Sequence, residues 1–248
     1  MSLLVGVMLP ALIAGLVQGV TGFGAGILLM LFYPIMFPIA QSSAMSQFLC
    51  VVLCVSIVWK YRKYVHLKQC LLPLVFYFPC YFVALRVAVS MDTDQMKPVL
   101  GLFLIILSIY FFYGADKIQI KASVWSACLC ALLSAVVDAF FGIGGPTMVI
   151  YFMAILPEKR DYLGTIQCFF MTTSIYGTIM RIYHGQITFE LLPLLAVGGI
   201  ALLIGAFGGS KVVDRIDIHR MKQFVYGFIG ISGFITIVTS WQSWLFHF

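Results

Sequence analysis

From Leu3 to Pro38 the chain runs for 36 residues without one formally charged side chain, and a glycine cluster, Gly19-Val20-Thr21-Gly22-Phe23-Gly24-Ala25-Gly26, sits in the middle. The arrangement recurs over Ala122–Leu156 around Ala139-Phe140-Phe141-Gly142-Ile143-Gly144-Gly145-Pro146. A spanning helix needs about 20 apolar residues. Each glycine lowers helix stability by about 1 kcal/mol relative to alanine. Three glycines two or three residues apart are therefore expected to break the helix. In lipid a broken helix persists only where its bare backbone faces protein or a water-filled cavity. Each cluster thus predicts a functional cavity.

The rest of the chain fits a bilayer. Hydrophobic residues make up 62% and charged residues 10%, with mean hydropathy +1.05. A soluble domain carries about 25% charged residues. The chain reads as an all-α polytopic membrane protein, and its net charge of +6 as a matter of orientation rather than of nucleic-acid binding. The stretch Met1–Gly19 lacks the basic region of a signal peptide and reads as a first helical arm. The seven cysteines include no C-x-x-C pair and read as small buried hydrophobes. The four histidines show no metal-ligand spacing, so neither a cofactor nor a metal is expected.

The order of segments is a hairpin over Leu3–Pro38, then spans at Ser43–Trp59, Cys70–Ser90 and Pro98–Tyr113. It starts again with a hairpin over Ala122–Leu156 and spans at Leu163–Met180, Leu191–Gly209 and Phe224–Trp241. At about 1.5 Å per residue the first hairpin amounts to roughly 54 Å of helix, a little short of two crossings, which leaves room for a re-entrant loop. Gly22, Gly24, Gln47 and Leu71-Leu72-Pro73-Leu74 recur 120 residues later as Gly142, Gly144, Gln167 and Leu191-Leu192-Pro193-Leu194. A first repeat over residues 1–115 and a second over 116–248 follow. A hairpin plus three spans changes sides an odd number of times, so the second repeat is expected to be inverted, as in many secondary transporters. On this map Lys60, Arg62, Lys63, Lys68, Lys117, Lys121, Lys159, Arg160, Lys211, Arg215, Arg220 and Lys222 share one face. Only Arg86, Lys97 and Arg181 lie on the other. The positive-inside rule then puts the first group in the cytoplasm and both termini outside.

Within this frame the candidate site residues are the tips and what faces them. If the second arm of each hairpin starts after its glycines, Thr21, Gly22, Gly24 and Gly26 in one half and Gly142, Gly144 and Gly145 in the other surround helix N-termini, which suit an anion. The alternative is close helix packing by small residues. Asp138 stands four residues before Gly142. An intramembrane carboxyl is costly when charged, so it faces a cavity or is protonated. It is the candidate proton-coupling group, with a helix-capping or hydrogen-bonding role as the alternative. Its counterpart is Gln18. Gln47 and Gln167, with Ser46 and Thr165 beside them, either line the path or bond helices together. Arg86 either snorkels to the interface or draws anions towards a vestibule.

Gly22-Phe23-Gly24-Ala25-Gly26 and Phe140-Phe141-Gly142-Ile143-Gly144-Gly145 resemble the paired glycine motifs of the TauE/SafE family of sulfite exporters. Ala44-Met45-Ser46-Gln47 and Gly164-Thr165-Ile166-Gln167 are similar to the small-plus-hydroxyl segment after each motif there. Ala25 and Pro146 depart from the family's glycines. The resemblance implies a plasma- or inner-membrane transporter, by expectation an exporter, of sulfur-containing anions such as sulfite, thiosulfate or organosulfonates. The expected partners are the small anion and the lipid bilayer, with a homodimer left open. A non-transporting scaffold and an intramembrane enzyme are the competing readings. The enzyme lacks a histidine at membrane depth beside any nucleophile, and the scaffold gives no reason to duplicate helix-breaking glycines.

Overall fold

A computed structural model describes residues 2–113, 123–212 and 234. The described residues are helical and contain no strand. In chain order the helices are α1 (Ser2–Thr21), α2 (Ala25–Phe32), α3 (Ile39–Tyr61), α4 (Leu67–Ser90), α5 (Thr93–Tyr113), α6 (Val124–Phe141), α7 (Gly145–Ile155), α8 (Lys159–Tyr183) and α9 (Leu192–Val212). The boundary between the two expected repeats, the loop beyond Val212 and the expected Phe224–Trp241 span lie outside the described residues, Phe234 excepted.

Both expected hairpins break at their glycines. Gly22 and Gly24 have φ values of 81° and 105°, and Gly142 has 65°, a region that costs an L-residue about 1–2 kcal/mol. The return arms are shorter than the apolar runs imply. With 8 and 11 residues, α2 and α7 extend about 12 and 16 Å, against a hydrocarbon core of about 30 Å. Proline sets both limits. Pro34 stands in a short 3₁₀ turn, Tyr33–Ile35, directly after α2, and Pro157 follows Leu156 at the end of α7. The chain nevertheless comes back: the Tyr33 hydroxyl donates to the Val7 carbonyl at 3.3 Å, and Met36 packs against Gly6. The first hairpin is a long arm with a short helical return that reaches back to the level of Gly6.

Among the described residues five stretches are long and apolar enough to cross a bilayer: Leu3–Thr21, Ile39–Tyr64, Leu67–Ser90, Val124–Phe141 and Phe189–Gly209. The chain is a multi-pass membrane protein. Helix α8, at 25 residues, is long enough but too polar for that class, because Gln167, Thr173, Ser174, Thr178 and Arg181 all turn inward and are buried.

The packing repeats. Helix α1 lies along α9, and α6 lies along α4, while α3 and α8 meet in the middle. Exchanging α1 with α6, α2 with α7, α3 with α8 and α4 with α9 returns the main partners, although the α3–α6 contact has no counterpart of like extent between α8 and α1. The α1–α9 contact is close because Gly15 and Gly19 face the Leu202 and Ala206 carbonyls, and Gly205 and Gly209 face those of Leu12 and Leu16. Small residues let transmembrane backbones approach in this way. Two apolar clusters fill the interior, and Phe23 and Phe140, one at each glycine turn, pack against both.

Candidate functional site

The two glycine turns meet. A side chain on Gly26 would come within 2.8 Å of the Gly142 carbonyl oxygen, and one on Gly142 within 2.9 Å of the Ser43 carbonyl. Between the turns lies a cavity of about 50 Å³, bounded by Gln18, Gly24, Gly26, Asp138, Gly142, Gly144 and Gly145 from the hairpins, Cys50 and Cys54 from α3, and Phe170, Thr173 and Ser174 from α8. A water needs about 10–15 Å³ measured this way, so the space is large enough for a few waters.

Polar side chains bridge the two halves around it. Gln18 on α1 donates to Gln167 on α8 at 3.3 Å, and Gln167 donates in turn to the Gly22 carbonyl. Gln47 on α3 donates to Asp138 on α6 at 3.2 Å. Gln18 and Asp138 are counterparts at the 120-residue offset, as are Gln47 and Gln167. Each helix-borne glutamine therefore pairs with the hairpin residue of the opposite half. The second turn is further pinned by Ser134, which donates to the Gly144 carbonyl, and by Thr147, which donates to the Cys130 carbonyl at 3.1 Å.

The N-terminal amides are not bare. The Ala25 N–H donates to the Gln18 side-chain oxygen at 3.0 Å, the Gly26 N–H faces the Cys50 sulfur, and the Gly144 N–H faces the Asp138 carboxyl. Side chains on the first arm of each hairpin thus cap the second. Tyr77 also donates to Asp138, at the same oxygen that Gln47 reaches. An aspartate held by an amide, a phenol and a carboxamide has its oxygens arranged as a bound anion's would be.

The other expected residues divide. Ser46 is buried beside Gly26 and Cys50. Thr21 closes the first turn locally, its one hydroxyl hydrogen within reach of the Val17 carbonyl at 2.8 Å or the Phe23 carbonyl at 2.6 Å. Thr165 points away from the cavity. Its hydroxyl accepts from the His66 N–H at 3.0 Å and so holds the turn before α4. Arg86 is exposed and stacks over Phe82 at 4.3 Å, as snorkelling requires.

Arg181 departs furthest from expectation. Rather than standing at the outer face, it is 1% exposed. Its guanidinium donates to the Asp138 and Ala139 carbonyls at 3.2 and 2.7 Å, to the Ser43 hydroxyl at 2.7 Å and to the Gln186 side chain at 2.7 Å. It sits on the last turn of α6, at the negative end of the helix dipole, which favours a cation. In sequence it closes the apolar run Leu163–Met180 and looks like an interfacial charge. The spacing of Gln167, Phe170, Ser174, Gly177 and Arg181 by three and four residues is the signal that places them on one helix face.

Two hairpins broken at glycines, polar helices converging on them and a small cavity between the turns belong to a multi-pass membrane protein. A model of the sulfite exporter TauE/SafE family matches residues 7–236, and the chain belongs to that family of membrane transporters. It is 24% identical over 169 residues to a Methanocaldococcus jannaschii protein named "probable membrane transporter protein". That match covers 64% of this chain and 63% of the relative. No solved structure matches the chain.

Proposed function

We propose that the protein is a secondary transporter that exports a small sulfur-containing anion, such as sulfite, thiosulfate or an organosulfonate, by alternating access at the cavity between the glycine turns. The observation that carries this reading is the meeting of two duplicated helix breaks around one small polar space. Packing glycines alone would be expected to leave no such space, and the α1–α9 seam is an example. The exchange of packing partners between the halves supports an inverted repeat, and inverted repeats rocking about a central site are a recurrent transporter design. The basic residues that the order of segments in the sequence assigns to one face support cytoplasmic placement of that face. The sulfur comes from the family description; the residues argue for size and charge.

The site residues in this reading are Gly22, Gly24, Gly26, Gly142, Gly144 and Gly145 as the turn backbone, with Gln47, Gln167 and Ser46 beside them. Asp138 is the proton-coupling group. Thr21 and Thr165 hold the surrounding turns in place. The test is efflux of radiolabelled sulfite, thiosulfate or methanesulfonate from proteoliposomes. Saturable, protein-dependent efflux of any of the three supports a carrier. Its absence for all three, with folded protein in the vesicles, leaves the scaffold reading.

A further inference from the structure

Asp138 and Arg181 are the two buried charged residues among those described, at 4% and 1% exposure. They sit back to back and do not form a side-chain ion pair. Arg181 grips the main-chain carbonyl of Asp138, while the Asp138 carboxyl turns the other way and borders the cavity. Each carries its charge without a carboxylate–guanidinium contact to the other. The titratable groups facing Asp138 are Tyr77 and Tyr81 from α4, Cys50 and Cys54 from α3, and Arg181 from α8. Arg181 is the cation in that set.

The carboxyl occupies what an anion would want. Gly144 offers its N–H, Tyr77 its hydroxyl and Gln47 its amide, and Gly144 opens the arm α7. A small anion entering the cavity meets donors already taken by a negative group. With Asp138 ionised, the buried pair is neutral. Adding a monoanion leaves one uncompensated negative charge, which is costly in a low-dielectric interior. Transfer of one proton from solvent to the carboxylate restores neutrality and frees the donors.

We infer that the Asp138 carboxylate is a tethered stand-in for the transported anion, that Arg181 is the fixed counter-charge of both, and that one monoanion binds with uptake of one proton at Asp138. This rests on the transport reading above and assigns Arg181 a role that reading does not require. Arg181 is a positioning residue: it acts through α6 and the charge balance and does not line the cavity.

The experiment is calorimetric titration of methanesulfonate, a monoanion across the working pH range, into the purified full-length protein in two buffers of different ionisation enthalpy. Wild type takes up close to one proton per anion, and its affinity rises up to tenfold per unit fall in pH. Asp138→Asn takes up none and binds independently of pH. Arg181→Gln leaves Asp138 without its counter-charge, so the carboxyl is protonated before the anion arrives. Proton uptake then falls to near zero and affinity drops at least tenfold. Arg181→Lys restores the charge without the guanidinium's bonds and takes up close to one proton again. A merely structural arginine changes stability in both variants and leaves uptake at one. Binding without proton uptake in wild type, or unchanged uptake in Arg181→Gln, overturns the inference and leaves the transport reading standing. If neither methanesulfonate nor sulfite binds wild type, the site between the turns is itself refuted, and the inference with it.

Discussion

Gln47 and Asp138 stand 91 residues apart in the chain, yet the glutamine amide donates to the aspartate carboxyl at 3.2 Å. Their counterparts at the 120-residue offset, Gln167 and Gln18, are bonded at 3.3 Å. The two hairpins are thus tied to each other's halves by matched pairs, one neutral and one carrying an acid. Strict duplication would give two neutral pairs. The difference between Gln18 and Asp138 at matched positions gives one of the two pairs a group that can change charge.

Enlarging the second turn should silence transport while leaving the fold in place. A side chain on Gly144 would sit 2.9 Å from the Asp138 carboxyl carbon, inside van der Waals contact. Gly144→Leu is expected to lower anion efflux at least tenfold, with the protein still monodisperse on size-exclusion chromatography. Gly24→Ala adds little bulk but forces φ 105° on an L-residue, at a cost of about 1–3 kcal/mol. It should lower the melting temperature by several degrees and slow efflux.

The pH response follows from charge balance. If the anion leaves with a proton on Asp138, wild-type efflux of methanesulfonate should be faster from vesicles with an acid lumen than from vesicles with an alkaline one. In Asp138→Asn the two rates should be equal. Rates measured across imposed pH steps, with membrane potential clamped by valinomycin and potassium, decide it. A wild-type rate indifferent to luminal pH removes proton coupling and spares the carrier.

Cys50 borders the cavity, so its modification reports access. With Cys50 as the sole remaining cysteine, a small methanethiosulfonate reagent should react from one side of the membrane, and saturating methanesulfonate should slow it severalfold. Cys80, whose thiol donates to the Leu132 carbonyl on the α4–α6 contact, should react at a rate the anion does not change.

The α1–α9 seam should be structural alone. A side chain on Gly205 collides with the Leu12 carbonyl, and overpacking of this kind costs typically 1–3 kcal/mol, occasionally more. Gly205→Val is expected to reduce thermal stability in detergent. The surviving folded fraction should bind anion with near wild-type affinity.

Much of this was legible in the sequence because the signals are local. At Gly22–Gly24 and Gly142–Gly144 the helices do break, and α1, α2, α6 and α7 end and begin beside them, whereas Gly205, Gly208 and Gly209 stay within α9. The constant offset pointed to Gln47 and Gln167 as a matched pair. That each would bond the other half's hairpin was not legible, since such pairing is a tertiary fact. The short return arms depend on Pro34 and Pro157, which act on a run whose composition promises more helix. Thr165 was misleading for a related reason: its neighbour Gln167 faces inward, and a residue two positions away on a helix points elsewhere. Arg181 reads as an interfacial charge because it ends an apolar run. Its burial requires the α6 carbonyls and Ser43 to arrive from distant parts of the chain.

The central claim, that a small oxyanion sits between the two turns, is tested most directly by an anomalous-difference map of crystals soaked in selenite at a concentration that saturates its own efflux. The account predicts a selenium peak in the cavity between Gly24–Gly26 and Gly142–Gly145, lost in Gly144→Leu. Selenium found only elsewhere, with the two turns closed on one another and no peak between them, would contradict it.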